Sequence, residues 1–280
     1  MHPLRLQMQQ AMKLRGLALR TQESYLAAVA ALAQHYRCSP DRLSVEQIQR
    51  YVLYLLEERK LSWSSCNQAI CAFRFFYGVT LKRGAFALEI PHGRAPQRRP
   101  EILSRAEVLR VLEAASRPMD RLLLKTTYAA GLRLSEVVAL RWSDIDGERM
   151  SLRVEQGKGG VDRYTVLSTS LLQQLRDYWR QMRPQTRWLF PGRDAERCID
   201  HQTAQRAYRR AKGKAGISKR GGIHALRHAF ATHLLEAGID VNTIRQFLGH
   251  TSLSTTQRYL HLTQSHLKGS AAALDLLRLE

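Results

Sequence analysis

Between Arg83 and Leu103 the chain reads RGAFALEIPHGRAPQRRPEIL, with Pro91, Pro96 and Pro100 close together and Arg83, Arg94, Arg98 and Arg99 among them. Each proline ring removes a backbone donor and disfavours helix at the residue before it, so neither a helix nor a sheet ladder runs through the stretch. It reads as an extended, solvated linker over residues 85–101, with one helical domain over 1–84 and a second domain over 102–280. A chain of 280 residues is long enough to give each part its own core.

Helical spacing dominates on both sides. In TQESYLAAVAALAQHY, Thr21 stands as a candidate N-cap, and Tyr25, Leu26, Val29, Leu32 and Tyr36 recur on one face. SVEQ at 44–47 has the Ser and Gln of a capping box, ahead of a helix through Glu58. A further helix is predicted over Ser64 to Val79, with Ile70, Phe73 and Tyr77 as a core stripe rather than a base-stacking platform. A second capping box, SRAE at 104–107, opens the second domain. Only MSLRVEQGKGGVDRYTVLS alternates in the β manner, around a turn at Gly157–Gly160, and predicts a small hairpin. From Ser168 onward the pattern is helical again. The fold class expected is mainly α with a small β-hairpin in the second domain. No internal repeat or low-complexity segment is visible.

The formal net charge is +20. Residues 1–100 carry 15 Lys+Arg against 6 Asp+Glu, a net +9, and the remainder carries 29 against 18, a net +11. Charge spread over both domains suits contact with a polyanion along much of the chain, rather than a basic tail. Nucleic acid leads, and an anionic membrane surface is the alternative. No apolar run approaches a membrane span and no signal peptide opens the chain, which predicts a cytoplasmic protein. Cys38, Cys66, Cys71 and Cys198 form no C-x-x-C pair and are expected to be buried, reduced thiols.

Several residues could carry chemistry, and each has an ordinary structural reading beside the chemical one. Tyr259 is a weak nucleophile unless cations or a base surround it, and could equally be a surface or core tyrosine. His224 and Arg227, three apart, share a helix face. Together they could grip a phosphate and move a proton, or be a capping His and a solvated Arg. His224 and His228 are four apart, but HALRH lacks the Glu of H-E-x-x-H and a third ligand, which argues against zinc. His250 follows Gly249, a candidate helix end, and could donate to an anion or cap that end. Arg133 follows the helix-ending Gly131, and Glu136, three residues on, could cap the next helix or make a surface ion pair with it. Lys158, between glycines at the turn, could reach out of the fold or be plainly solvated; the P-loop spacing is absent.

Read in order, GLRLSE, the Lys158 turn, HALRHAFATHLLEAG, LGH and STTQRYLH resemble the tyrosine recombinases, or phage-integrase family, over roughly residues 101–261. Each motif alone is weak, but the six positions Arg133, Lys158, His224, Arg227, His250 and Tyr259 are all filled. One minor departure lies at Gly160, where family members often carry a longer polar residue. The resemblance implies a two-domain DNA clamp whose N-terminal helices form a core-DNA-binding domain.

It also implies strand cleavage through a 3′-phosphotyrosine on Tyr259, with Arg133, Arg227 and His250 on the phosphate oxygens. His224 would be the base and Lys158 the acid for the leaving 5′-oxygen. Partners implied are double-stranded DNA bearing specific sites and a homo-tetramer working through a Holliday junction. No membrane partner is expected; no nucleotide cofactor is expected because the phosphotyrosine conserves the energy of the broken bond, and no metal because no carboxylate cluster suited to Mg²⁺ is visible. The tail SHLKGSAAALDLLRLE is expected to dock on a neighbouring subunit or on its own domain. A type IB-like topoisomerase and a non-catalytic DNA-binding protein are the competing readings. The chain is expected to lack the arm-binding module of many phage integrases, which favours an Xer-like or mobile-element recombinase.

Overall fold

The computed structural model describes residues 3–85, 93, 101–155, 162–183 and 185–249. The chain divides into two compact units, Met1–Arg98 and Arg99–Glu280. Among the described residues, no helix is long and apolar enough to cross a membrane.

The first unit is helical throughout. It contains α1 (Pro3–Leu14), α2 (Leu19–Tyr36), a 3₁₀ turn (Pro40–Arg42), α3 (Val45–Glu57) and α4 (Trp63–Phe75). The Ser44/Gln47 capping box is present in both directions, with Ser44 N donating to Gln47 Oε1 at 2.9 Å. Thr21 is not the N-cap of α2. That helix begins at Leu19, and the Thr21 and Gln22 amides already donate to Ala18 O. Gln22, buried, donates to Leu17 O and ties down the entry turn, which the sequence pattern did not register. Leu26, Val29 and Leu32 face the core as their spacing predicted, with Tyr25 and Tyr36 packed at its edge.

The stripe predicted in the fourth helix is also core: Ile70, Phe73 and Tyr77 are fully buried. The helix does not stay α-helical to Val79. From Phe76 to Thr80 it widens to π geometry, and the adjacent Phe76 and Tyr77 are both buried there. The predicted linker falls almost wholly outside the described residues. Within 86–100 the exception is Gly93, whose backbone exchanges hydrogen bonds of 2.7 and 3.0 Å with the Asn67 side chain of the same unit.

The second unit opens at the predicted Ser104/Glu107 capping box with α5 (Arg105–Ala114), followed by α6 (Pro118–Ala129) and the short α7 (Leu134–Val138). The expected hairpin is one edge of a three-stranded antiparallel sheet, because β1 (Ile145–Asp146) joins β2 (Ser151–Val154) and β3 (Arg163–Val166). Two residues of strand carry too little alternation to be visible in sequence. Val154 pairs with Arg163 at the described end of the hairpin, and the turn at Gly157–Gly160 lies outside the described residues.

Then follow α8 (Thr169–Met182), α9 (His201–Lys214), α10 (His224–Glu236) and α11 (Val241–Leu248). The stretch between α8 and α9 is not helical, contrary to the sequence pattern. It is pinned by isolated bridges, Arg141 to Trp188 and Pro191 to Cys198.

Helix α10 lies at the centre of this unit. Residues on every side of it are buried, and Ala225, Ala229 and Ala231 let neighbouring elements approach closely. Leu123, Leu124, Leu132, Val137, Leu152, Phe190, Tyr208 and Leu226 complete the core around it. All four cysteines are free, but only Cys66 is buried; Cys38 is exposed, and Cys71 and Cys198 are half-buried. The expectation of four buried thiols therefore fails at three positions.

Candidate active site

The site begins where α6 ends. Gly131 has φ +62°, and a Cβ there would sit 2.4 Å from Phe230 Cδ1 of α10. Only glycine permits both the left-handed turn and that close approach. Leu132 is then buried, and Arg133 becomes the N-cap residue of α7. An arginine has no acceptor with which to cap a helix. The cap is one-sided instead: Glu136 reaches back and accepts from the Arg133 amide at 2.7 Å and from Arg133 Nη1 at 2.7 Å.

Glu136 is the centre of the arrangement, with its side chain only 4% exposed. Arg163 of β3 grips it with both Nη atoms at 2.8 Å, one on each oxygen. Arg227 of α10, 1% exposed, brings Nη1 to 3.5 Å from Glu136 Oε2. One carboxylate is thus shared by three guanidinium groups, which leaves a local excess of two positive charges. Burial by itself would raise the Glu136 pKa, but the Arg163 and Arg133 hydrogen bonds and charges outweigh it and hold the group at about 2.

The same three arginines close the end of α11. Its last carbonyls have no helical partner, and they carry the negative end of the helix dipole. Phe247 O accepts from Arg163 Nε at 3.0 Å, Leu248 O from Arg227 Nη2 at 2.6 Å, and Gly249 O from Arg133 Nη2 at 3.1 Å. Arg227 also donates to Gly131 O at 2.8 Å, joining the ends of α6 and α11. Gly249 has φ +60° and ends α11, as its position before His250 suggested.

His224 stands at the first turn of α10, exposed to solvent. The protein around its ring, followed by the charges of Arg227 and Arg133, lowers its pKa. The shift favours the neutral ring, the form that can accept a proton. His228 packs edge-to-face on it at 4.8 Å, and burial lowers His228 further, to about 4. Among the described residues, no cluster of three His, Cys, Asp or Glu could hold a metal ion.

Of the six site residues expected from sequence, the structure places Arg133 and Arg227 on one carboxylate and His224 three residues before Arg227 on α10. Lys158, His250 and Tyr259 lie outside the described residues. Arg133 has more access to solvent, 18% against 1% for the Arg227 side chain. Sequence reasoning assigned Glu136 only a helix-capping role or a surface ion pair with Arg133, and passed over Arg163. A signal for Arg163 did exist. Alternation along β3 puts it on the same side as the buried Thr165, and an arginine on an inward face requires a buried counter-charge.

Comparison with known proteins gives a consistent picture. Residues 101–266 match the phage integrase family, and residues 4–85 match the phage integrase N-terminal SAM-like domain. The chain is 46% identical over 278 residues to a Sinorhizobium fredii protein provisionally named an integrase/recombinase, covering 99% of this chain and 90% of that one. It is 37% identical over 214 residues to the tyrosine recombinase XerA of Pyrococcus furiosus, covering 75% and 73% respectively. Among solved structures, the lambda integrase tetramer bound to a Holliday junction shares the fold. Its TM-score is 0.73 at 20% identity, over 90% of this chain and 74% of that one.

Proposed function

The chain belongs to the phage integrase family, and from that premise we propose that it is a tyrosine site-specific recombinase acting on double-stranded DNA. The observation that carries this reading is the cluster of Arg133, Arg163 and Arg227 on one buried carboxylate, with His224 three residues before Arg227 on α10. An excess of fixed guanidinium charge next to a proton acceptor suits a phosphodiester that gains negative charge in its transition state.

In the proposed reaction the Tyr259 oxygen attacks the scissile phosphorus. The new bond is tyrosine oxygen to phosphorus, and the bond that breaks joins phosphorus to the 5′-oxygen of the next nucleotide. His224 takes the phenolic proton, and Lys158 gives a proton to the departing 5′-oxygen. Arg133, Arg227 and His250 hold the non-bridging oxygens. Removing one such donor costs about 3–4 kcal/mol in comparable oxyanion sites. Attack by the freed 5′-hydroxyl of another strand reverses these steps and leaves no net change in phosphodiester count, so the exchange consumes no nucleotide.

The domain roles follow from the charge: the 1–84 helices and the 102–280 domain, both basic, contact the duplex, with 85–101 as the linker. Lambda integrase is seen as a tetramer on a Holliday junction, and the same assembly on two recombination sites is proposed here, in the cytoplasm. The experiment is covalent trapping on sheared genomic DNA of the source organism, followed by denaturation and sequencing of the adducted fragments. A Tyr259-dependent adduct that survives EDTA and maps to one sequence is the expected result. An adduct on all fragments together with plasmid relaxation would make the protein a topoisomerase. No adduct, with DNA still bound, would make it a non-catalytic binder.

A further inference from the structure

Arg163 begins β3, five residues after Lys158, and its side chain is 11% exposed. Its donors point three ways. Two fork onto the Glu136 oxygens at 2.8 Å each, and Nε turns to Phe247 O at 3.0 Å. Its aliphatic stem runs across Gly249, where a Cβ would come within 2.5 Å of Arg163 Cδ. One side chain therefore ties together β3, the carboxylate that holds Arg133, and the end of α11.

We propose that Arg163 is a positioning residue for DNA cleavage, fixing Arg133 through Glu136 while anchoring β3 to the end of α11. The proposal rests on the recombinase reading above. A counter-ion role alone would need only a positive charge, and lysine would satisfy it. The observed set of acceptors needs a planar fork with a third donor on its side, which lysine lacks. Without the fork, Glu136 keeps its bonds to Arg133 but is no longer held against β3, so α7 and β3 lose their common anchor. Misplacement of reacting groups by about 1 Å is enough to cost ~100-fold in rate.

The test uses the full-length protein and the duplex recovered by trapping, nicked beside the scissile phosphate so that cleavage runs one way. Arg163→Lys and Arg163→Met are compared with wild type for folding, DNA affinity and single-turnover cleavage. Arg163→Lys keeps a charge against Glu136 and guards against simple unfolding of the neutral variant. The expected result is affinity within about threefold of wild type and cleavage slowed ~100-fold in both variants. Because the residue acts through Arg133, adding Arg163→Lys to Arg133→Lys should slow cleavage by no more than about threefold beyond Arg133→Lys alone.

Cleavage by Arg163→Lys at near wild-type rate would overturn the proposal, as would fully multiplicative effects in the double variant. Loss of the folded state in both single variants would also overturn it, making Arg163 a stability element. A wild-type protein that forms no adduct would sink the recombinase reading itself, and this proposal with it.

Discussion

Two helices of the second unit begin with the same local device, and they end up as different things. At α5, Ser104 N donates to Glu107 at 2.7 Å; at α7, Arg133 N donates to Glu136 at 2.7 Å. Glu107 then meets a single lysine, Lys219 at 2.5 Å, with its side chain 18% exposed. Glu136 meets three arginines with its side chain 4% exposed. A carboxylate three residues into a helix is a capping group by default. It becomes the electrostatic centre of a site only when distant segments deliver buried cations to it. The glutamate arm is the same in both places, although only Ser104 supplies the reciprocal one, and the larger difference lies in what the rest of the chain packs against each glutamate.

The comparison breaks most sharply at Glu136→Ala. Removing the carboxylate leaves buried guanidinium groups facing one another, and the expected loss is about 3–5 kcal/mol of folding stability. Urea unfolding should read it, with DNA cleavage falling alongside. A loss under about 1 kcal/mol would mean the three arginines find other partners and that Glu136 is an ordinary cap.

Next in size is the acid response. Glu136 titrates at about 2 in the folded state against an ordinary value of 4.5. A depressed carboxylate contributes stability that is complete above about pH 4.5 and is lost as the pH falls toward 2. The shift corresponds to a contribution on the order of 3 kcal/mol. Stability measured against pH for wild type and Glu136→Gln should therefore differ in slope between pH 4.5 and 2. Parallel curves in that window would contradict the Arg-held carboxylate. Glu107 is also lowered, with the Lys219 and Ser104 hydrogen bonds overcoming its desolvation, so Glu107→Gln should alter the same window less.

The smallest expected effect is at the plain cap. Glu107→Ala removes one arm of the box and a partly exposed ion pair, for about 1 kcal/mol. Lys219→Met should cost less still, about 0.2–1 kcal/mol, because water screens that pair. Chemical unfolding of these two variants sets the scale against which Glu136→Ala is judged. If Glu107→Ala matched Glu136→Ala, the contrast between the two helix starts would have no energetic basis.

Much of this architecture was legible without coordinates. Both serine capping boxes, the core stripe of Ile70, Phe73 and Tyr77, and the glycines ending α6 and α11 stand where their local chemistry predicted. The failures share a cause. Thr21 has the side chain of an N-cap, but the chain enters α2 at Leu19 because Gln22 ties back to Leu17. β1 is too short to show alternation, and the segment between α8 and α9 is held by bridges to Trp188 and Cys198 that no local pattern encodes.

By itself the sequence determined the serine-capped helix starts, the glycine ends of α6 and α11, the basic charge of both parts, and the order of Arg133, Lys158, His224, Arg227, His250 and Tyr259 along the chain. Those properties depend on residues within a few positions of one another, or on composition, and need no folding to be read. Only tertiary structure decided that Glu136 and Arg163 belong with Arg133 and Arg227. Arg163 lies 27 positions from the carboxylate that it grips and 84 from the carbonyl that takes its Nε. The pull of one charge on another depends on distance and burial, and both are set only when the strand, the α6–α7 turn and the end of α11 pack together.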